Sequence, residues 1–413
     1  MCRLPVRPYV RCVSTTPLSD NRGPLATAER ALGPDLARGL MLLFIALANS
    51  HYFLSGDSVR GGFPMDGSTL DSAVTWCIAT FVDGRAFPMF GLLFGYGVAM
   101  IVRRQAALGA KGVRHLLWRR AVFLIVVGFL HAMLLYVGDI LAAYGVLLLL
   151  GAWAVRWKDG WLLGVAAVIF ALGLLPSGDS MSIVTDPPDP SMLPPDLLTM
   201  FADRIVVQPF IMLLGPIGFA CPFLVGLWAG RRRVLERPEL HRRLLTVTAI
   251  VGITVAVLGA QPVALMLAGV TDVPSHATLE VIGPWHDASG VLGGFGYAAA
   301  ITLLAARLGT PGPIATAIAA TGQRSMTSYL SQSVVWTVAF TPFLLDLSGS
   351  LSVAGTALLA SITWLSTVVV ADRMRRAGQR GPFEVLVRRV TYGRRVAPAL
   401  RSVRVDQHPP PIG

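Results

Sequence analysis

The sequence predicts an all-α protein, a polytopic transmembrane helix bundle of about ten spans with its N-terminus and C-terminus cytoplasmic. Three observations predict it. The 413-residue chain is 54% hydrophobic and only 14% charged, with a mean hydropathy of +0.62, whereas soluble domains carry roughly 25% charged residues. Its apolar residues fall in runs close to the ~20 residues that a helix needs to cross a ~30 Å hydrocarbon core. The linkers between the runs alternate in sign. Arg103, Arg104, Lys111, Arg114, Arg119 and Arg120 make one basic linker, and Arg231, Arg232, Arg233, Arg237, Arg242 and Arg243 make another. Between them lie acidic linkers: Asp57, Asp66, Asp71 and Asp83; Asp179, Asp186, Asp189, Asp196 and Asp203; Asp272, Glu280 and Asp287. No soluble fold requires this sorting, but membrane proteins retain Lys and Arg on the cytoplasmic side.

Residues 1–34 carry Arg, Pro, Ser and Thr without the apolar centre of a signal peptide, and read as a disordered cytoplasmic leader. The bundle is expected over 35–372. Its spans read near 36–55, 84–102, 119–137, 139–156, 160–176, 205–229, 244–270, 288–308, 323–346 and 351–371. The apolar stretch 69–82 reads as an interfacial or re-entrant helix before the second span. The sixth span contains Pro209, Pro216 and Pro222, and the eighth begins GVLGGFGYAAA. Such residues mark either close helix packing or a helix broken around a cavity. A basic cytoplasmic tail, 373–413, ends the chain. With the N-terminus inside, all of the 35 Lys and Arg except Arg60, Arg85 and Arg204 fall on the cytoplasmic side.

The net charge of +12 sits in short loops beside the spans. It therefore points to the lipid bilayer and its anionic headgroups as partner, with no nucleic acid. Cys2, Cys12, Cys77 and Cys221 are scattered without a CxxC, so neither a disulfide nor a thiolate metal site is expected. The loop with Asp272, His276, Glu280, His286 and Asp287 lacks compact ligand spacing, and no metal is assigned. The P-loop, HExxH, GxSxG and dinucleotide fingerprints are absent.

Polar groups inside a bilayer are costly, so each needs a partner or a role. His131 lies eleven residues beyond Arg120, about 16 Å along a helix, with Asp139 at the following turn. His51 closes the first span, and Asp83-Gly84-Arg85 opens the second. These five are candidates for an outward-facing acid/base site. His131 or His51 would be the base, Asp139 or Asp83 would orient it, and Arg85 would steady developing charge. The competing reading is an inter-helix hydrogen-bond network around an Asp83–Arg85 ion pair. At the cytoplasmic ends, Arg38 beside Asp35, Arg119, Arg120 and Arg324 read as phosphate ligands for a cytosolic cofactor, or as plain topology-setting flanks. Tyr144 and the polar run holding Tyr329 and Gln332 read as a hydrophilic substrate path, or as Ser and Thr bonded back to helix carbonyls.

Five blocks carry a resemblance. They are Asp35-x-x-Arg38-Gly39 leading to Asn49; Phe81-x-Asp83-Gly84-Arg85 followed by Leu93-Phe94-Gly95-x-Gly97; Gly128-x-x-His131 followed by Gly138-Asp139-Ile140-Leu141-x-x-Tyr144-Gly145; Gly322-x-Arg324-x-Met326-Thr327-x-Tyr329-x-x-Gln332-Ser333; and Arg380-Gly381-Pro382-x-Glu384. In this order they resemble the YeiB-like membrane proteins, domain-of-unknown-function family 418, over residues 30–393. Ser328 stands where the family usually has Asn, and Val385 where it has Trp. The resemblance implies a multi-pass protein of the bacterial plasma membrane. The family is distantly similar to membrane acyltransferases of the acyltransferase-3 and heparan N-acetyltransferase types. That likeness implies transfer of an acyl group from cytosolic acyl-CoA, as co-substrate rather than bound cofactor, to a glycan, lipid or small-metabolite acceptor across the membrane. The alternatives are a transporter of a small solute or lipid precursor and a non-catalytic membrane scaffold.

Overall fold

All ten apolar runs are helical in the computed structural model, which describes residues 31–393. The helices are α1 Leu32–Ser50, α2 Thr69–Phe81, α3 Ala86–Arg104, α4 Gly109–Leu134, α5 Leu141–Ala154, α6 Asp159–Leu172, α7 Leu197–Arg231, α8 Arg242–Leu267, α9 His276–Arg307, α10 Pro313–Gln323, α11 Ser325–Phe340, α12 Val353–Arg376 and α13 Pro382–Tyr392. Between α1 and α2 a small hairpin pairs Val59–Arg60 with Phe63–Pro64. Its two-residue turn needs positive φ at both positions, which Gly61 (+56°) and Gly62 (+79°) supply. Most of the expected leader, Cys2, Cys12 and the tail beyond 393 lie outside the described residues.

Among the described residues, seven helical stretches are long and apolar enough to cross a membrane: Leu32–Phe53, Thr69–Arg104, Ala106–Leu134, Leu197–Arg231, Arg242–Leu267, His276–Arg307 and Val353–Arg376. Leu141–Ala154 and Asp159–Leu172 are apolar but shorter. The outer surface suits a bilayer. Val122, Val126, Leu130 and Leu134 are exposed at every fourth position of α4, and Leu358, Ile362, Leu365 and Val369 are exposed at spacings of three and four down α12. Such stripes face one side of a helix. In water they would form apolar patches far larger than soluble monomers expose.

Helix α1 is central, packed by α3, α9, α10, α11 and α12. The closest neighbours, α3 with α7, α4 with α5 and α8 with α9, approach through small residues. A Cβ on Gly95 would strike the Phe223 carbonyl oxygen, and one on Gly226 the Leu92 carbonyl oxygen. A Cβ on Gly252 would lie 2.5 Å from the Leu292 oxygen. Helix contact in lipid relies on this close packing, because lipid tails are as apolar as the side chains they compete with.

Three features decide or differ from the sequence reading. Helix α7 runs unbroken for 35 residues through Pro209, Pro216 and Pro222, which favours the packed alternative of the two left open: Pro216 and Pro222 are buried, and Pro222 lies against Gly91 of α3. Two short helices, α10 and α13, occupy stretches that read as linker and tail. Finally, the α4–α5 connection turns back into the bundle. Tyr136, Val137, Asp139 and Ile140 are all buried, and a Cβ on Gly128, six residues before the end of α4, would meet the Ala142 nitrogen and Asp139 Oδ2. Helix α5 therefore starts about 9 Å below the end of α4, with its N-terminus inside the protein.

Candidate functional site

One large cavity, about 920 Å³, lies between α1, α3, α4, α5, α10, α11 and α13. That is at the upper end of small-molecule and cofactor sites, roughly 300–1,000 Å³. Its lining is sorted. Arg38, Arg104, Arg120, Arg324, Arg375, Arg380 and Arg388 face it, against the two carboxylates Asp35 and Glu384. The remainder includes Met41, Phe90, Leu93, Phe94, Leu124, Leu141, Tyr144 and Tyr329. Arg104, Arg324, Arg375 and Arg380 come from helix ends, and Arg38, Arg120 and Arg388 from within α1, α4 and α13, so the cavity has a cationic mouth and, where Met41, Phe90 and Leu141 line it, an apolar inner end. Arg120 Nε is buried without a hydrogen-bond partner. Tyr392, at the mouth, has its phenol pushed above the ordinary value by burial, against the lowering pull of Arg120, and stays neutral.

The mouth is braced by the two C-terminal blocks. The Glu384 carboxylate of α13 accepts from the Met326 N–H (2.9 Å), the Thr327 N–H (3.2 Å) and the Thr327 hydroxyl (2.6 Å). These are the orphan donors and dipole end of α11, where an anion is favoured. Arg324 Nη1 donates to the Ala320 carbonyl (3.0 Å) and Nη2 to the Gln379 carbonyl (2.5 Å). On the other wall Arg38 pairs with Asp35 at 3.2 Å. A Cβ on Gly39 would hit the Ile318 carbonyl, and one on Gly322 the Asp35 carbonyl, so those two blocks are pressed together backbone to backbone.

At the inner end sits a buried dyad. His131 Nδ1 is 2.7 Å from Asp139 Oδ1. A carboxylate only accepts, so Nδ1 carries a proton, and in the neutral imidazole the lone pair is then on Nε2. The Ala142 N–H donates to Asp139 Oδ2 at 2.8 Å, which fixes the carboxylate. His131 Nε2 is buried with no partner. The neighbouring ring is Tyr329, 5.3 Å away between centroids, and Tyr329 lines the cavity. Its hydroxyl is also buried and unpartnered.

The other expected site residues lie elsewhere. His51, Asp83 and Arg85 form a separate cluster between α1, α2, α8 and α9. His51 Nε2 is 3.5 Å from Asp83 Oδ2, and its ring stacks on Phe63 at 3.9 Å. Arg85 donates to the backbone carbonyls of Asp83 and Ala256 and lies 3.0 Å from His286 Nε2. Its guanidinium is thus spent on carbonyls and His286, and the Asp83 carboxylate faces His51 instead. None of the three lines the cavity, and neither do His131 and Asp139, which reach it only through the neighbouring Tyr329, so the five groups expected to converge are split in two. Arg38, Arg120 and Arg324 line the mouth, whereas Arg119 points outward and is exposed. Tyr144 and Tyr329 line the inner end. Gln332 is buried, donates to the Leu42 carbonyl at 3.4 Å and is not part of the lining. The sequence reading missed Arg104, Arg375, Arg380 and Arg388 as lining groups. Only the family block Arg380-Gly381-Pro382-x-Glu384 hinted at their end of the chain. It also missed His286, which it read only as part of an acidic loop.

The comparisons agree with the blocks. Residues 229–394 match the family described as protein of unknown function (DUF418). The chain is 26% identical over 403 residues to the uncharacterized protein YxaH of Bacillus subtilis (strain 168), covering 89% of this chain and 96% of that protein. It is 32% identical over 119 residues to the uncharacterized protein YeiB of Escherichia coli (strain K12), covering 28% of this chain and 29% of that one. These matches support a YeiB-like DUF418 family, with the family model itself falling on the C-terminal part of the chain.

Proposed function

We propose that this protein transfers an acyl group from acyl-CoA to a hydroxyl or amine acceptor. The observation that carries the reading is one cavity lined by seven arginines, with a buried His–Asp dyad, one imidazole nitrogen unpartnered, behind its apolar inner end next to Tyr329. Arginine suits phosphate oxygens because its planar fork donates in pairs. An apolar inner end suits an acyl chain. The chemistry then follows from the dyad. His131 Nε2 takes the proton of the acceptor X–H as the X–C bond forms at the thioester carbonyl. The tetrahedral intermediate collapses with loss of the C–S bond, and the leaving thiolate takes that proton back. The products are acyl-X and CoA-SH. Asp139 holds the imidazole in the tautomer that can accept.

We further infer ten membrane crossings with both termini cytoplasmic, so that the cationic mouth opens to cytosolic acyl-CoA in a bacterial plasma membrane. The short helices α5, α6 and α11 complete the crossings because α5 starts within the bundle rather than at its surface. The acceptor, a glycan, lipid or small metabolite, approaches from the other side. The test uses purified protein in lipid nanodiscs with labelled acetyl-CoA and native lipid and glycan extracts. Label should move to an acceptor with wild type and not with His131→Ala. Unchanged transfer in that variant, or vectorial uptake of a solute without covalent change, overturns the reading. Cysteine accessibility at positions 108 and 177 tests the topology, with 108 expected to label only from the cytoplasm.

A further inference from the structure

Arg85 turns its Nη groups to the Asp83 and Ala256 carbonyls and His286 and does not line the cavity, so the charge that develops on a reacting carbonyl oxygen needs other donors. The start of α5 offers a place for them. Helix α5 begins inside the bundle, because Gly128 lets the chain turn back against α4. The first turn of any helix presents N–H groups without intrahelical partners and the positive end of its dipole. In α5 only the Ala142 N–H is claimed by a side chain, Asp139 Oδ2. Ile140, the N-cap, provides no side-chain cap. Leu141 and Tyr144 of this same turn line the cavity.

A second, independent observation points to a ligand there. Tyr329 is 3% exposed, lines the cavity, and has a buried hydroxyl with no acceptor for its proton. The Ile140 backbone N–H approaches its oxygen, and Asp139, Tyr136 and Tyr144 lie around it. Leaving a buried hydroxyl unsatisfied is costly, and tyrosine hydroxyls that are buried normally find an acceptor. A carbonyl or carboxylate oxygen at this spot would satisfy Tyr329 and meet the α5 dipole at once. His131 Nε2, also unpartnered, is on the adjoining ring.

We propose that the N-terminal turn of α5 and the Tyr329 hydroxyl form an oxyanion subsite that binds the carbonyl oxygen of the acyl group. This rests on the acyl-CoA reading and assigns the carbonyl end of that ligand. The geometry resembles that of discontinuous membrane helices whose buried N-termini face anionic groups. It places the electrophilic carbon between a donor pair and the base.

The test compares two ligands that differ in one oxygen: acetyl-CoA and S-ethyl-CoA, the thioether without the carbonyl. Dissociation constants are measured on full-length protein in nanodiscs, for wild type and Tyr329→Phe. Wild type should prefer acetyl-CoA. Tyr329→Phe should lose roughly three- to tenfold of that preference while binding S-ethyl-CoA as wild type does. Transfer should fall further, by about 10²-fold, because such donors act mainly in the transition state. An unchanged acetyl-CoA preference in Tyr329→Phe overturns the subsite and leaves the acyl-CoA reading standing. Wild type that binds neither ligand overturns both. Equal weakening of both ligands in Tyr329→Phe also overturns the subsite, since a general packing role does that.

Discussion

Asp139→Asn separates the chemistry of the dyad from its role in folding. In the native protein Asp139 accepts twice, from His131 Nδ1 (2.7 Å) and from the Ala142 N–H (2.8 Å). Asparagine offers one acceptor and one donor. The Ala142 N–H demands the acceptor, so the amide NH₂ turns to His131. Nδ1 must then become the acceptor, and the proton moves to Nε2. The imidazole now shows its N–H where the acceptor's proton should go. The same tautomer inversion costs a serine protease about 10⁴ in turnover, and a loss of about 10³–10⁴-fold is expected here. The fold loses only the charge on one buried hydrogen bond, about 1–3 kcal/mol. Single-turnover transfer from labelled acetyl-CoA gives the rate, and thermal unfolding in the same nanodiscs gives the stability. Binding of S-ethyl-CoA should stay within about twofold, because it involves no proton transfer. A variant that retains more than a tenth of wild-type transfer would refute the assignment of His131 as base. So would a loss of transfer matched by an equal loss of ligand binding.

Arg120→Gln should weaken CoA binding by roughly 10- to 100-fold, the worth of a charge-assisted phosphate bond of about 1.5–3 kcal/mol, whereas Arg119→Gln, on the outward side of the same helix, should change it less than twofold; isothermal titration at fixed ionic strength decides. Gly95→Ala adds a Cβ against the Phe223 carbonyl and 3.1 Å from the Leu227 nitrogen, and should destabilise by about 1–3 kcal/mol. Gly164→Ala in α6, where a Cβ meets nothing within 4 Å, should be neutral or gain up to about 1 kcal/mol from helix propensity. Glu384→Gln removes the anion at the α11 N-terminus and should cost about 1–2 kcal/mol, with faster proteolysis after α12 as the readout.

The membrane character and helix positions were legible because hydropathy and charge act along the chain: each apolar run has its helix, and each basic linker lies at a helix end. The blocks were legible for a different reason. Their glycines and charged residues form pairs that are distant in sequence, such as Gly322 with Asp35 and Glu384 with Thr327, and a packed pair leaves its mark at both positions. What was not legible is depth. Eleven residues from Arg120 put His131 high on α4, and Asp139 was assigned to the surface turn beyond it. Nothing local distinguishes a surface turn from one that folds inward; the clue is Gly128, whose missing Cβ makes room for Ala142. The prolines of α7 left two readings open for a related reason. A missing N–H suggests a broken helix, but the 35-residue helix keeps its course and uses Pro222 to fill the gap above Gly91.

The three basic residues that break the charge sorting explain why the five outer polar groups do not form one site. Each is bound to backbone carbonyls. Arg60 donates to Ile183 O at 3.2 Å. Arg204 donates through Nε to Ser191 O at 2.9 Å and through Nη1 to Ala132 O and Met133 O at 3.2 and 3.3 Å. Arg85 holds the carbonyls of Asp83 and Ala256. A guanidinium is well suited to this, since its five N–H donors can satisfy several carbonyls at once. Ala132 and Met133 belong to the last turn of α4, whose carbonyls have no helical partner and attract a cation. Arg204 therefore pins the acidic loop around Ser191 over the end of the helix that carries His131, while Arg85 pins the α2–α3 turn to α8. Both arginines are buried, at 1% and 0% exposure, and an arginine committed to carbonyls in an apolar interior is not available to a substrate. Of the two histidines at this level, His51 stacks on Phe63 within the region that Arg85 organises. Both histidines keep unpartnered ring nitrogens, but only His131 lies beside a group that lines the cavity, Tyr329. Under the proposed function, that position is what makes His131 rather than His51 the candidate base.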